Sequence, residues 1–486
     1  MLTTETPVRT FPTKDPYMVH KGGFATLDRE MRFEVPKSAI LGRVPEAVRG
    51  TLHRIGPGRN ERGGQKFGHW FDGDGMVHAF SVRDGSVHYQ NRYVRTPKWK
   101  REEAAGRITE RSFGQNRPGG VLANVGRMPA NCANTGIVFH GGKLLALWEG
   151  GRPYRLDPAT LDTIGSYTYD GRLGRLNAFS AHGKEDPRTG RYYNFGVRPT
   201  LGGFALDVYA IGPSGYMVQK GAFDVGWHPF VHDFALTENH MVFFVSPLVM
   251  DDFVPYILGR TTFDRAMHYD PSAGVEIVVV RLSDFEVVKR IETDPFLVVH
   301  YANAFEEKGE IVVDLVRFES FDVNEALRDV FTTRNQEGGN LYRYRIDPER
   351  ARVSSERLGD AAFEFPQFDH RFGGKPSNVV FGAALLVNET PGFFNGLVRH
   401  DVASGRQRIR DLGPGRFTSE PIFVPASATA REGEGYLLSV VFDAARGASE
   451  LVVTSAEELD RDVARVLLDH HVPFGFHGAF TEALFV

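Results

Sequence analysis

The chain has 486 residues, with 57 Lys and Arg against 61 Asp and Glu, and a net charge of −4. This balance argues against nucleic-acid binding as a main role, because a phosphate backbone is bound by a clustered positive field. The hydrophobic share of 42% and the charged share of 24% are ordinary for a globular protein, which excludes disorder as the dominant state.

The sequence contains a single cysteine, Cys132, so an intramolecular disulfide and a thiolate zinc cluster are both excluded. No apolar run reaches the ~18 residues needed to cross a bilayer, and the N-terminal segment lacks the apolar stretch of a signal peptide. We therefore expect a cytoplasmic protein that folds by core packing.

Short β-branched and aromatic runs bounded by Gly, Pro, Asn and Asp recur from about residue 50 to the C-terminus. This pattern is typical of strands separated by turns. Asp84-Gly85 and Gly141-Gly142 are dipeptides that tolerate the positive φ of tight hairpins. In chain order, the sequence predicts hairpins at 76–94, 137–157, 274–292, 339–358, 394–412 and 433–456.

No Ser/Pro-rich linker interrupts this series, so we expect one all-β domain over residues 1–486. An open sheet of so many strands would leave exposed edges, which a propeller of radially repeated four-stranded blades avoids. Seven blades of ~69 residues would use the length and leave room for long loops. Because no fixed-period repeat is visible, WD-type repeats are excluded and the pattern leaves the number of blades open.

Two segments depart from the hairpin pattern. Residues 91–127 contain nine basic residues against three acidic ones, for which we expect a solvated helical face, with a membrane-facing patch as the alternative. Residues 241–259 are apolar but interrupted by Asp251, Asp252 and two prolines. This segment is too broken to span a membrane. It fits a buried strand followed by an apolar lip, at 246–259, that dips into the membrane surface.

Phosphate loops of the GxxxxGK[ST] type, HExxH motifs and GxSxG elbows are absent from the sequence. Four of the 17 histidines stand out instead, because each follows a small or apolar residue: His182 in SAHGKEDP, His232 in FVHDFA, His300 in VVHYAN and His477 in GFHGAF. A buried imidazole needs a hydrogen-bonding partner or a metal, and each of the four taken singly fits an ordinary core histidine. Their separations of 50, 68 and 177 residues exclude one helical site, whereas strands of different blades converging on an axis would bring them together.

Four neutral imidazoles would bind a divalent transition metal and leave its charge uncompensated. Carboxylates behind the rings would then accept the second N–H of each ligating imidazole. Three acids beside apolar or Pro residues are candidates: Glu149 in LLALWEGG, Glu364 in FEFP and Glu420 in TSEPIFVP. Without the histidines, these acids would be interpreted as ordinary paired carboxylates.

These segments resemble the carotenoid cleavage oxygenases, also called the retinal pigment epithelial membrane protein family. The similar motifs run in register from about residue 45 to residue 480, and they include WFDGDGMVHAF, SAHGKEDP, FVHDFA, HYANAFEE, GNLYRYRID, SEPIFVP and VPFGFHGAF. The four histidines and the three glutamates each fall in their own motif. The resemblance implies a seven-bladed β-propeller with long loops that form a cap over a metal site.

The resemblance also implies the roles of individual residues. One non-haem Fe(II) per subunit would be held by His182, His232, His300 and His477. Glu149, Glu364 and Glu420 would orient His232, His300 and His477, respectively. Thr135 matches a family threonine whose methyl group stands over an otherwise open metal position. An apolar tunnel would be lined by Trp148, Phe230 and Phe365, with Phe71 as a further candidate and plain core packing as the alternative for each.

Members of this family cleave a C=C bond of a polyene with O2 and release two carbonyl products. Relatives that cleave phenolic stilbenes carry a Lys directly before the first glutamate, where this chain has Trp148, and the departure favours a carotenoid or apocarotenoid substrate. Two alternatives stay open: a stilbene-cleaving oxygenase of the same family, and a carotenoid-binding propeller without activity. The expected partners are an apolar polyene and O2, with peripheral membrane contact as an open question. The cleaved bond, any cis/trans isomerisation and the oligomeric state are not determined by the sequence.

Overall fold

The computed structural model of the chain describes residues 10–328, 330 and 337–486. Within these residues, the backbone forms seven antiparallel sheets whose innermost strands surround a common axis. The predicted all-β class and the seven-bladed propeller are confirmed. We number the sheets as blades 1 to 7 and give the strands of each blade from the axis outwards.

The first four blades contain the N-terminal half of the chain and its last strand. Blade 1 consists of Gly478–Thr481, Gly50–Arg59, Asp74–Arg83, Ser86–Tyr93 and Arg32–Glu34. Blade 2 consists of Gly136–His140, Lys143–Leu147, Tyr154–Leu156 and Thr163–Ser166. Blade 3 consists of Lys184–Asp186, Arg191–Thr200, Gly203–Ile211 and Met217–Gly226. Blade 4 consists of Ala235–Leu236, His240–Val245, Val275–Arg281 and Val287–Thr293.

The last three blades follow in chain order. Blade 5 consists of Leu297–Glu307, Glu310–Phe318, Asn340–Asp347 and Arg352–Arg357. Blade 6 consists of Phe363–Gln367, Val379–Ala384, Gly396–Asp401 and Arg406–Asp411. Blade 7 consists of Ile422–Pro425, Arg416–Thr418, Gly435–Asp443, Ala448–Ser455, Asp462–Leu467 and Ile40–Gly42. Two short strand pairs lie outside the blades: Glu61–Arg62 with Gln65–Lys66, and Leu248–Val249 with His268–Tyr269.

Strands from both ends of the chain close the ring. Gly478–Thr481 pairs with Gly50–Arg59 as the innermost strand of blade 1. Ile40–Gly42 pairs with Asp462–Leu467 at the outer edge of blade 7. Because blades 1 and 7 each include a strand from the opposite end of the chain, hydrogen bonds hold the first and last blades side by side.

All six predicted hairpins are confirmed as antiparallel strand pairs. In the first of them, Asp84 and Gly85 have φ values of 51° and 78°, which is the left-handed region that an Asp-Gly turn tolerates. The strands are buried on both faces where blades stack. Phe243 of blade 4 packs in a core shared with blade 3, whereas its neighbour Phe244 packs in a core shared with blade 5. Because successive side chains of a strand point to opposite faces of the sheet, each blade packs against both of its neighbours.

Short helices occupy the connections between strands. The α-helices of the described residues are α1 (Pro97–Ala105), α2 (Gly120–Asn124), α3 (Val254–Ile257), α4 (Phe263–Ala266) and α5 (Val323–Arg328). The 3-10 helices are Pro16–Phe24, Lys37–Ala39, Glu46–Val48, Trp70–Asp72, Pro271–Ala273, His370–Phe372 and Val402–Ser404. In the described part of the chain, none of the helices has the length and apolar character that crossing a bilayer requires.

The prediction of a solvated face for the basic segment 91–127 is wrong for two of its cations. Lys98 of α1 has a fully buried side chain, and its Nζ lies 2.8 Å from Oδ1 of Asp74 and 3.1 Å from Oε2 of Glu102. Arg111 is also buried, and its guanidinium donates to backbone carbonyls that include those of Tyr256 and Thr261. Partners from distant segments make the burial of both cations possible, and the local sequence does not reveal them.

Candidate metal centre

The innermost strand of each blade brings one predicted site residue to the axis. These residues are His477 in blade 1, Thr135 in blade 2, His182 in blade 3, His232 in blade 4, His300 in blade 5, Glu364 in blade 6 and Glu420 in blade 7. His300 and Glu364 lie inside the strand, and the other five residues lie one to three positions before the start of the strand. The radial arrangement of the blades therefore unites residues that the sequence separates widely.

The four histidines form one compact cluster. Their potential ligand atoms all lie within 4.8 Å of one another. The ring centroid of His182 lies 4.3 Å from that of His232 and 4.4 Å from that of His477. The Nε2 atoms of His232 and His300 are 3.2 Å apart. The cluster therefore directs imidazole nitrogens towards a common centre.

Three of the four imidazoles have a carboxylate behind them. Nδ1 of His300 lies 2.6 Å from Oε2 of Glu364, and Nδ1 of His477 lies 3.0 Å from Oε1 of Glu420. Nδ1 of His232 lies 3.4 Å from Oε1 of Glu149, which is a looser contact. When Nδ1 donates to a carboxylate, the Nε2 lone pair is left for a metal.

A divalent cation fits this donor set. Nε2 of His182 is a buried polar atom without a hydrogen-bond partner among the described residues, which is a cost that coordination would remove. Glu364 and Glu420 also place carboxylates behind two of the imidazoles, and their negative charge favours a cation at the cluster. Imidazole ligands suit zinc, copper, iron and nickel, so the donors alone leave the metal's identity open.

The electrostatics of the site keep at least two imidazoles neutral. Burial and the neighbouring imidazoles hold the pKa of His182 and that of His232 well below the usual value. Burial raises the pKa of Glu149 to about 8. For Glu420, burial acts in the same direction, but His477 and Arg54 outweigh it and lower the pKa below its ordinary value. The pKa values of two carboxyl groups around the centre are therefore shifted in opposite directions, upwards for Glu149 and downwards for Glu420.

The sequence did not reveal the residues that hold these carboxylates. Arg54 donates from Nη1 to Oε2 of Glu420 at 2.9 Å, and Gln367 donates from Nε2 to Oε1 at 3.0 Å. Ser180 donates from Oγ to Oε2 of Glu149 at 3.2 Å. Arg54 lies 366 residues from Glu420 along the chain, in a segment that carries no motif signal.

Irregular strand pairing orients two of the site residues, His300 and Glu364. The register of Leu297–Glu307 against Glu310–Phe318 shifts on both sides of Tyr301, beside His300. The register of Phe363–Gln367 shifts after Glu364, and Phe365 has a φ of 56°, which is uncommon for a bulky residue. Consecutive residues of a regular strand point to opposite faces. The shift lets Glu364 reach His300 while Phe365 lies beside the same ring, with centroids 5.7 Å apart.

An aromatic tunnel adjoins the cluster on one side. The cavity has a volume of about 410 Å³, and thirteen Phe and Trp side chains line it. The predicted residues Phe71, Trp148, Phe230 and Phe365 all lie on its wall, together with Thr135. The rings of Phe230 and His232 are nearly parallel, with centroids 5.8 Å apart. The structure therefore places the four aromatic candidates in one cavity with the histidines.

Long connections cover the tunnel. Phe113 from the connection between α1 and α2, Phe263 of α4 and Leu327 of α5 contribute to its wall. The tunnel also depends on a close approach at Gly150, where a Cβ atom would lie 2.9 Å from the indole of Trp148. These connections form the cap that was predicted over the metal site.

A second cavity adjoins the cluster on the other side. It has a volume of about 900 Å³ and lies along the axis, where the innermost strands of the blades surround it. His182, His300 and His477 border this axial cavity, whereas His232, His300 and His477 border the tunnel. The imidazole cluster therefore separates the two spaces.

Known proteins share this sequence and architecture. Apocarotenoid-15,15'-oxygenase from Synechocystis sp. is 33% identical over 455 residues, which cover 91% of this chain and 92% of that protein. Lignostilbene-α,β-dioxygenase isozyme III from Sphingomonas paucimobilis is 31% identical over 474 residues, which cover 91% and 93% of the two chains. The crystal structure of cobalt-substituted Synechocystis ACO aligns with a TM-score of 0.87 at 32% identity, covering 95% of this chain and 98% of that one.

The family model described as retinal pigment epithelial membrane protein matches residues 24–482. This range contains all seven blades, the four histidines and the three glutamates. The chain therefore belongs to the retinal pigment epithelial membrane protein family, the carotenoid cleavage oxygenases.

Proposed function

We propose that the protein is a non-haem Fe(II)-dependent dioxygenase that cleaves a C=C double bond of a carotenoid or apocarotenoid with O2. The products would be aldehydes or ketones. The observation that carries the proposal is the compact four-imidazole cluster at the wall of an aromatic tunnel. Bound iron would supply the activation of O2, which redox-inactive zinc does not provide.

In this proposal, one Fe(II) is held by His182, His232, His300 and His477. The glutamates behind three of these rings fix the ring orientation and the tautomer. Glu364 does so through the shortest contact, and Glu420 is itself held by Arg54 and Gln367. The outer groups therefore make the donor set rigid before the metal binds.

Thr135 has a position suited to limiting access to the centre. Its Oγ1 donates to Oδ1 of Asn134 at 3.0 Å, and its carbonyl accepts the backbone N–H of His477 at 3.3 Å. With the hydroxyl engaged by Asn134, the methyl group is the free end of the side chain. We infer that this methyl group shields one side of the metal.

The tunnel supports an apolar, elongated substrate. Its aromatic wall offers dispersion contacts and excludes water from the reacting bond, which is the contribution a cofactor enzyme requires of its protein. Trp148 precedes Glu149, and no lysine lies among the described residues of the wall. A phenol oxygen would therefore find no ammonium group, which favours a carotenoid or apocarotenoid over a phenolic stilbene.

Stilbene cleavage is the alternative within the family, because a lignostilbene dioxygenase is among the similar proteins. The alternative from another class is a propeller that binds carotenoids without cleaving them. Incubation of the iron-loaded protein with apocarotenals and with stilbenes under O2, followed by mass analysis of the carbonyl products, distinguishes the three. We expect aldehydes from the apocarotenals. If reconstitution with iron gives no carbonyl product from any polyene, the enzyme proposal is wrong.

Peripheral membrane contact is a further part of the proposal. The lip expected at 246–259 exposes one large apolar side chain, Val254, with 63% of its surface accessible. The neighbouring segment 121–128 exposes more, led by Leu122 at 91%. Gly126 donates its backbone N–H to the carbonyl of Ile257, which joins the two segments. Met128 is exposed and also lines the tunnel, so this apolar patch is continuous with the route of an apolar substrate.

A further inference from the structure

The axial cavity differs from the tunnel in chemical character. Six carboxylate residues line it: Glu46, Glu185, Asp186, Asp233, Glu420 and Glu482. Three Lys and Arg residues line it as well: Arg49, Lys184 and Arg371. The excess of carboxylates gives the cavity a negative potential, which attracts cations and excludes apolar solutes.

Two of the three cations of the axial cavity are held by carboxylates, and the third, Arg49, is exposed at its edge. Nζ of Lys184 lies 3.0 Å from Oδ1 of Asp233, beside the metal centre. Arg371 forms an ion pair with Asp369 at the wall. In contrast, Glu185 and Glu482 make no ion pair within the described residues, and both are exposed to solvent. The unpaired charges of the cavity are therefore mainly negative and lie where the cavity meets the solvent.

The two cavities differ in what they admit to the histidines. A divalent cation in water carries a firmly held hydration shell, and moving it into an apolar environment costs far more than a protein offers in return. The wall of the tunnel is mainly aromatic and aliphatic, and away from the cluster its oxygen ligands among the described residues are limited to Asn177, Asn324 and Glu337. The axial cavity provides carboxylates, amides such as Asn303 and Gln367, and about twice the volume.

We propose that the axial cavity is the route by which the divalent metal reaches the four histidines, and that the tunnel is reserved for the apolar substrate. The inference rests on the proposed function only in requiring that the histidines bind a divalent metal. His182, which borders the axial cavity and not the tunnel, presents the unpartnered Nε2 atom to the entering ion. Each side of the centre thus has its own entrance, matched to the polarity of what passes through it.

The test measures the rate of Co(II) uptake by the full-length apoprotein. Stopped-flow absorption follows the visible bands that Co(II) gains when imidazoles bind it. We compare the wild-type protein, Glu482→Lys and Glu185→Lys, which reverse a charge at the axial entrance, with Leu176→Lys, which adds a lysine at the exposed edge of the tunnel. At low salt, we expect each axial variant to slow uptake by about threefold or more, and Leu176→Lys to leave it unchanged.

Added salt should remove most of the difference between the axial variants and the wild type, because screening weakens the attraction. Filling the tunnel with a long-chain polyene should leave the uptake rate unchanged. The route proposal is overturned if the polyene or Leu176→Lys slows uptake, or if neither axial variant does. Equilibrium titration with Co(II) distinguishes failure of the metal centre from failure of the route. If the wild-type protein binds no Co(II), the metal centre itself is contradicted. If Co(II) binds normally and the axial variants take it up at the wild-type rate, only the route is contradicted.

Discussion

Nδ1 of His300 and Oε2 of Glu364 lie 2.6 Å apart, which is the shortest contact between a predicted ligand and its carboxylate. This bond fixes the ring so that Nε2 of His300 faces Nε2 of His232 at 3.2 Å. Two imidazole lone pairs at this distance repel each other unless a cation lies between them. The geometry therefore links the binding of a metal to the carboxylate behind the ring.

We predict that His300→Ala abolishes metal binding and turnover together, because it removes a ligand and leaves Glu364 without its partner. Metal content after reconstitution and product formation from an apocarotenal measure the two effects. His268→Ala, at an exposed histidine, is the matched control and should keep both. A His300→Ala protein with wild-type metal content and rate would show that the ligand assignment is wrong.

We predict that Glu364→Gln is milder than His300→Ala. The glutamine keeps a hydrogen-bond acceptor behind the ring but loses the negative charge. Loss of such an outer partner typically lowers metal affinity or activity by about 10–100-fold. Titration with Co(II) and the steady-state rate measure the effect. An unchanged affinity and an unchanged rate would contradict the orienting role of Glu364.

We predict that Glu420→Gln and Glu149→Gln differ in their effects on stability. Glu420 forms a buried ion pair with Arg54, so its replacement leaves a buried guanidinium without a counter-charge and costs about 3 kcal/mol. Glu149 has a pKa raised to about 8 by burial, so the neutral glutamine resembles its protonated form and costs much less. Urea unfolding of the metal-free variants at pH 7 tests this order. Equal urea midpoints for the two variants would contradict the predicted order of stability.

We predict that Trp148→Ala lowers kcat/KM for an apocarotenal by about tenfold, while metal content stays normal. The substitution removes an indole from the tunnel wall, and a loss of about 1.4 kcal/mol of contact corresponds to this factor. Metal analysis beside steady-state kinetics separates the two effects. Phe33→Leu, which lies in the blade 1 strand Arg32–Glu34 and outside the tunnel lining, is the control. Loss of metal in Trp148→Ala would place the residue in the metal site instead.

We predict that His53→Phe reduces the acid sensitivity of the fold. Burial lowers the pKa of His53 to about 4, from an ordinary value of 6.5. The neutral imidazole is therefore favoured in the folded protein, and its stabilisation is complete above pH 6.5 and is lost as the pH falls towards 4. In the wild-type protein, unfolding in this interval is coupled to the uptake of about one proton by His53. The variant lacks this uptake, so its free energy of unfolding should fall less steeply as the pH is lowered. Urea midpoints between pH 7 and pH 4.5 measure it, with the exposed His268→Asn as a control that keeps the wild-type slope.

We predict that Leu122→Asp lowers co-flotation of the protein with liposomes. The substitution places a charge on the most exposed apolar side chain of the segment 121–128. Ile164→Asp, on the outermost strand of blade 2, is the matched control and should leave flotation unchanged. If Leu122→Asp floats as the wild-type protein does, the patch is not a membrane contact.

The local sequence was sufficient to predict the hairpins, because turn chemistry at residues such as Asp84-Gly85 and the alternation of strands act over a few residues. The all-β class follows from the number of these hairpins. The histidine motifs and the glutamate motifs also identified the family, whose fold supplied the seven blades. All of these signals are carried within short segments.

Other features depend on contacts between distant segments. The apolar lip was placed at 246–259, yet most of the exposed apolar surface lies at 121–128. Leu248 and Met250 are buried in the cores between blades, and Tyr256 is buried against Arg111. Lys98 was expected on a solvated face, but Asp74 of a neighbouring strand neutralises it in the interior. Exposure is a property of the folded neighbourhood, and residue type does not reveal it.

By itself, the sequence determined the strand class, the family and the residue types that gather at the axis. Only the tertiary structure decided how those residues are held: that Glu364 binds His300 closely, that Arg54 secures Glu420, and that an aromatic tunnel and a polar axial cavity meet at one imidazole cluster. The physical reason is distance along the chain. Turn and strand preferences are set by adjacent residues, whereas ion pairs and cavities arise where closure of the propeller brings all seven blades together.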